Sequence, residues 1–121
     1  MLQIDDNLFP QALQDSLTCF WQLSSEKIRS IDSSYDPALG SPVFTKMGKY
    51  ANRGWTEWTQ GFQYCSSILQ FDATGDEECL EIGRRQTFDR MAPHLSHTGV
   101  HDHGFNNIST YGALLRLMNE G

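Results

Sequence analysis

Residues 58–81, WTQGFQYCSSILQFDATGDEECLE, decide how this chain is read. Phe62, Cys65, Leu69 and Ala73 fall three or four apart with Ile68 beside them, so the spacing predicts a helix over 59–73 with these residues on its inner stripe. Gly61 and the Ser66–Ser67 pair lower its intrinsic propensity. Thr74-Gly75-Asp76 then supplies a glycine to leave one helix and an aspartate to cap the next. Glu77, Glu78 and Glu81 come early in that second helix and Arg84, Arg85 and Arg90 late, the order its macrodipole favours. Pro93 ends or kinks it. Two helices joined by so short a turn form an antiparallel hairpin.

Working outward, Phe9, Leu13, Leu17, Phe20, Trp21, Leu23, Ile28 and Ile31 recur at helical spacing and predict a long first helix. Asn7 is its candidate cap and Pro10 suits its first turn. Residues 32–54, DSSYDPALGSPVFTKMGKYANRG, have no sustained period and read as a long loop. Downstream, Asn106 or Asn107 is placed to cap a last helix carrying Ile108, Tyr111, Leu114, Leu115 and Met118. No stretch of period two is long enough to predict a strand. The expected class is all-α, with four main helices arranged as hairpins. Residues 1–121 form a single region, and the apolar faces four helices leave uncovered lead to the expectation that it is the front part of something larger.

The 121 residues contain nine Lys plus Arg against fifteen Asp plus Glu, a net charge of -6, so there is no basic stripe to neutralise a phosphate backbone and no nucleic-acid partner is expected. No segment approaches the ~20 apolar residues of a membrane span, and no basic start followed by an apolar run marks a leader. A cytoplasmic chain is the expectation. Cys19, Cys65 and Cys79 show no CxxC spacing and read as buried, reduced thiols.

The chemistry concentrates in residues 97–110, HTGVHDHGFNNIST. Asp102, just upstream of a helix start, is a carboxylate able to do acid–base work or grip sugar hydroxyls, or simply to order its own turn. His94, His97, His101 and His103 raise a third possibility, a metal site. There is no HExxH motif and no helical histidine pair at i, i+4, so no metal or other cofactor is assigned. His101 and His103 read as groups that orient Asp102 or bond to substrate, whereas His94 and His97 read as solvated loop residues. Trp55 and Trp58 flank Glu57 in GWTEWTQGF, where indole faces serve either as platforms for pyranose rings or as ordinary packing. Glycosidic hydrolysis by the usual routes needs two carboxylates, and Glu57 and Asp36 are the loop acids that could accompany Asp102.

WTQGF, TGDE and VHDHGFNNISTYGALLRL, in that order and spacing, resemble the first third of the unsaturated glucuronyl hydrolases and their relatives, the rhamnogalacturonyl hydrolases and related glucuronidases. The likeness covers roughly residues 50–121. It implies the N-terminal part of a six-hairpin (α/α)6 barrel whose active site lies where the hairpin loops converge. It further implies that Asp102 is an active-site carboxylate contacting the hydroxyls of a uronic sugar, that Trp58 is a sugar-cleft aromatic, and that the principal acid/base aspartate lies beyond Gly121. In such enzymes an acid protonates C4 of a C4=C5 enol ether, water adds at C5, and the hemiketal opens to release the sugar, with no metal. Gln60, Gln63, Tyr64 and the NNISTYG run depart from the family pattern and leave saturated glucuronides as substrates too. The implied function is a glycoside hydrolase of uronic-acid-terminated oligosaccharides or glucuronides, with Asp102 catalytic and Trp58, Trp55, His101 and His103 lining the sugar site. The alternative is a helical-hairpin module that binds sugar or protein without catalysis.

Overall fold

A computed structural model describes Asp5 and residues 9–120. A 3-10 turn at Pro10–Leu13 leads into α1 (Gln14–Ser34), with Pro10 in the first turn as expected. The candidate cap Asn7 lies outside the described residues. After α1 come β1 (Ser41–Lys46), β2 (Lys49–Arg53), α2 (Thr59–Thr74), α3 (Glu77–Arg90) and the short α4 (Ala92–Ser96). Helix α5 (His103–Asn107), a π turn at Ile108–Gly112 and α6 (Ala113–Glu120) follow one another directly, with αR backbone at both joints. The chain is mostly helical, and a small two-stranded sheet accompanies the helices.

That sheet corrects the expectation of a structureless loop over 32–54. β1 and β2 pair antiparallel, and an irregularity between Pro42 and Phe44 leaves Val43 as the extra residue of a bulge. The strands meet in a two-residue turn whose Met47 and Gly48 both have positive φ, 49° and 75°. Hairpin turns of this hand are usually announced by Asn-Gly or Asp-Gly, and methionine at the first position hides the signal. The bulge breaks the period-two pattern as well.

The central hairpin forms as anticipated. Gly75 leaves α2 in the left-handed conformation, φ 72°, and the Asp76 side chain caps α3 by accepting from the Cys79 N–H. Helices α2 and α3 approach closely because Gly83 faces Ile68: a Cβ on Gly83 would lie 2.6 Å from the Ile68 Cγ1. Pro93 does not kink α3, which stops at Arg90; it sits in the first turn of α4 instead, where its missing N–H costs nothing.

Burial departs from the sequence stripe. In α2 the buried residues are Gln60, Gly61, Tyr64, Cys65, Ser67, Ile68 and Gln70, while Phe62 and Leu69 are exposed. Only Ile28 of the apolar face of α1 is buried; Leu17, Phe20 and Leu23 are exposed, as are Ile108, Leu115 and Met118 at the other end of the chain. Cys65 and Cys79 are buried free thiols, whereas Cys19 is exposed, against expectation. α1 meets α3 through a small apolar core of Ile28, Cys79 and Ile82 and through ion pairs around it: Arg29 reaches Asp76 at 2.8 Å and Glu78 at 2.6 Å, and Asp32 meets Arg85 at 2.7 Å. Burial works to raise the Asp76 carboxyl, but hydrogen bonds from Arg29, Ser25 and the Cys79 N–H outweigh it and bring it down to about 2.

Candidate functional site

Two segments more than forty residues apart meet where α2 begins. The Gly61 N–H donates to Asn106 Oδ1 at 2.8 Å, and the Asn106 amide N–H donates onward to the Glu57 carbonyl at 3.3 Å. A Cβ on Gly61 would fall 2.4 Å from the Asn106 Cα. The glycine of WTQGF is therefore a contact residue: it lets α5 lie against α2 at a distance no side chain permits. Asn106 is fully buried. It is a clamp inside the helix rather than the cap expected from the sequence, and the helix starts earlier, at His103, with Asp102 in the N-cap position.

This clamp sets the two aromatic motifs side by side. Trp58 packs edge-on to Phe62 with ring centres 5.4 Å apart, and Phe105 lies 6.5 Å from Trp58 and 6.1 Å from Phe62. All three remain between 42% and 53% exposed, forming an apolar ledge that faces solvent. Trp55, the second predicted sugar-site aromatic, is separate from that ledge in its contacts. It covers a histidine cluster, stacking on His103 at 5.9 Å and meeting His94 at 5.2 Å and His97 at 5.1 Å edge-on.

Asp102 begins α5 through its backbone, its carbonyl accepting from the N–H groups of Phe105 and Asn106, while its side chain makes no capping bond. The carboxylate is 26% exposed, with His101 Nε2 at 3.3 Å. It is thus only partly covered and not committed to its own helix. His101 is almost wholly exposed, so it can swing with a ligand but cannot hold Asp102 rigidly. Of the other two acids considered, Glu57 is brought to the clamp by its carbonyl, whereas the Asp36 side chain accepts from the Ala38 N–H and orders its own turn.

The histidines depart most from expectation. His94, read as a solvated loop residue, is 1% exposed inside α4, and His103 is 5% exposed at the start of α5. His94 Nε2 lies 3.0 Å from Gln60 Oε1, His94 Nδ1 lies 2.8 Å from His103 Nδ1, and His103 Nε2 lies 2.6 Å from His97 Nδ1. Asn106 Nδ2 adds a bond to His94 Nδ1 at 3.1 Å. Burial, helped by the neighbouring rings, pushes His94 down to about 4; burial and His97 also lower His103, against the pull of Asp102. Among the described residues no group of three or more His, Cys, Asp or Glu side chains is placed to hold a metal ion.

A hollow of about 380 Å³ adjoins the ledge through Phe62, between α1, the β-hairpin and α2. Its lining is mostly apolar, with Ile28, Val43, Phe44 and Tyr64 prominent, but Thr59 Oγ1 and Gln63 Oε1 are buried in its wall without a hydrogen-bond partner among the described residues. Sequence reasoning named Trp55, Trp58, Asp102, His101 and His103 but missed Gln60, His94 and Asn106. Their polar character would have placed them at the surface; Asn106 is buried against Gly61, and His94 between Gln60 and Asn106, contacts that no periodicity records.

No helix among the described residues is long and apolar enough to cross a membrane. Compared with known proteins, the chain matches no family model, no curated protein and no solved structure.

Proposed function

We propose that this chain forms the sugar-binding end of a glycoside hydrolase acting on uronic-acid-terminated oligosaccharides or glucuronides, built as the N-terminal hairpins of an (α/α)6 barrel. One observation carries the reading: the Gly61–Asn106 contact joins the WTQGF and HDHGF segments, so that the half-exposed Trp58–Phe62–Phe105 ledge and the uncommitted carboxylate of Asp102 belong to one end of the molecule. Aromatic faces suit the apolar faces of pyranose rings, and a partly covered carboxylate suits their hydroxyls. Asp102 is the catalytic carboxylate of this proposal, Trp58 and Trp55 its platforms and His101 its hydrogen-bonding neighbour, whereas the buried His103, expected in the same role, turns both ring nitrogens to other histidines. The route by hydration of an unsaturated uronate uses an acid at C4 and water at C5, and needs no metal or organic cofactor.

The test is turnover by the full-length protein of an unsaturated uronyl disaccharide, followed through loss of its C4=C5 absorbance, beside a saturated aryl glucuronide. Asp102→Asn is expected to lower kcat/KM at least about 100-fold with thermal unfolding unchanged. Near wild-type turnover in that variant overturns the assignment. The ledge also supports a second reading, a module that binds sugar without turning it over. Tryptophan fluorescence that responds to the disaccharide in a wild-type protein with no turnover of either substrate selects it.

A further inference from the structure

Gln60, His94, His103 and His97 form a chain of hydrogen bonds running from the buried flank of α2 to the surface. Its polarity is fixed at the inner end by the Asn106 amide. Asn106 Oδ1 is occupied by the Gly61 N–H, so the Nδ2 side of that amide faces His94 Nδ1, which must be a bare lone pair. A neutral His94 then carries its proton on Nε2, which donates to Gln60 Oε1. His103 Nδ1, facing that bare nitrogen, must donate to it. A neutral His103 then has a bare Nε2, and His97 Nδ1 must be the donor across the last gap.

We propose that this is a one-way imidazole relay whose purpose is to present the bare Nε2 of His97, at the exposed end beneath Trp55, as the acceptor for a hydroxyl of the bound sugar or of the attacking water. His97 Nε2 has no hydrogen-bond partner among the described residues, and the ring lies against Gly99, where a Cβ would stand 2.8 Å from that nitrogen. A proton accepted there stays on the outer ring as imidazolium. Passing it inward would move the charge onto His103 and then His94, and burial disfavours charge on both. Asp102 is the charged group acting on His103, while Gln60 and Asn106, the groups that terminate the chain, are neutral. His94, His103, Gln60 and Asn106 are positioning residues in this scheme; His97 is the group that touches ligand.

The ligand class rests on the sugar reading above, whereas the tautomer does not. In full-length protein with 15N-labelled histidine, assigned by single His→Asn variants, His97 is expected at neutral pH with Nδ1 protonated and Nε2 bare, and His103→Phe is expected to shift His97 toward the opposite form. An Nε2–H tautomer at His97 in the wild type overturns the relay whatever the protein's activity. In the disaccharide assay His97→Asn is expected to lower kcat/KM roughly tenfold to 100-fold. Wild-type turnover by His97→Asn beside an inactive Asp102→Asn overturns the role of His97 and leaves the sugar reading standing; an active Asp102→Asn overturns the assignment of Asp102, and a wild-type protein that turns over neither substrate overturns the hydrolase reading instead.

Discussion

The α2–α5 seam and the outer face of α1 are built on opposite terms. At the seam the buried groups are Gly61, Gln60, Asn106, His94, His103 and Thr110, small or polar, and each polar side chain makes a hydrogen bond there. On α1 the conspicuous apolar residues Leu17, Phe20 and Leu23 are left exposed. The contrast teaches that an apolar stripe says a segment is helical without saying which side is covered. The closest packing here follows glycine and amide chemistry, because two backbones can approach only where a Cβ is missing and the polar groups thus trapped must find partners.

The sharpest way to break this contrast is Gly61→Ala. The new Cβ would collide with backbone at Asn106, which cannot rotate away, so stability is expected to fall by about 3 kcal/mol in chemical denaturation, with loss of the ordered aromatic ledge. A change below about 0.5 kcal/mol would mean that α2 and α5 are not in contact in solution.

Acid is expected to act next. A folded-state His94 held near 4 stays neutral while the unfolded chain takes up a proton from its ordinary 6.5 downward, so stability is full above that pH and is lost as pH falls through the window from 6.5 to 4. At pH 5 the loss is of order 1 kcal/mol after allowance for solvent screening. His94→Phe should flatten this limb of the stability–pH curve. It should leave the lower one, in which Asp76 is protonated between its ordinary 3.8 and about 2 and α3 loses its cap and its partner Arg29. An unchanged upper limb in His94→Phe would show that the buried histidine is not the acid-sensitive group.

The smallest effect belongs to the other side of the comparison. Leu23→Ser on α1 and Met118→Ser on α6, at sites 61% and 81% exposed, are expected to change the stability of the 121-residue chain by itself by less than about 0.5 kcal/mol. A cost several times larger there would mean that these faces are already covered within these residues.

Much of the helical framework is legible in the sequence. Gly75 and Asp76 mark the α2–α3 turn, and the charge order of α3 and the period of α1 do the same for their elements, because caps, dipoles and helical spacing act within a few residues. The β-hairpin escaped because Met47 occupies a positive-φ position and a bulge at Val43 interrupts the alternation, so neither local signal survives. For the site, Asp102 and Trp58 stood out as chemistry-bearing residues before any fold was known, and the structure brings the segments carrying them together. His94 escapes a local reading because a histidine next to a proline is readily solvated, and its burial depends on Gln60 and Asn106 from two other helices.

What the sequence by itself determined is therefore the four main helical segments, though not the short α4 or the early start of α5, together with the turn between α2 and α3 and the identity of a carboxylate and two tryptophans worth suspecting, all consequences of interactions between near neighbours in the chain. What only the tertiary structure decided is which helix faces are inside, that Gly61 and Asn106 touch, and that three histidines align behind Trp55 with one direction of donation. Those depend on contacts across tens of residues, where the gain comes from satisfying trapped donors and acceptors at a close backbone approach, and no local pattern encodes the partner.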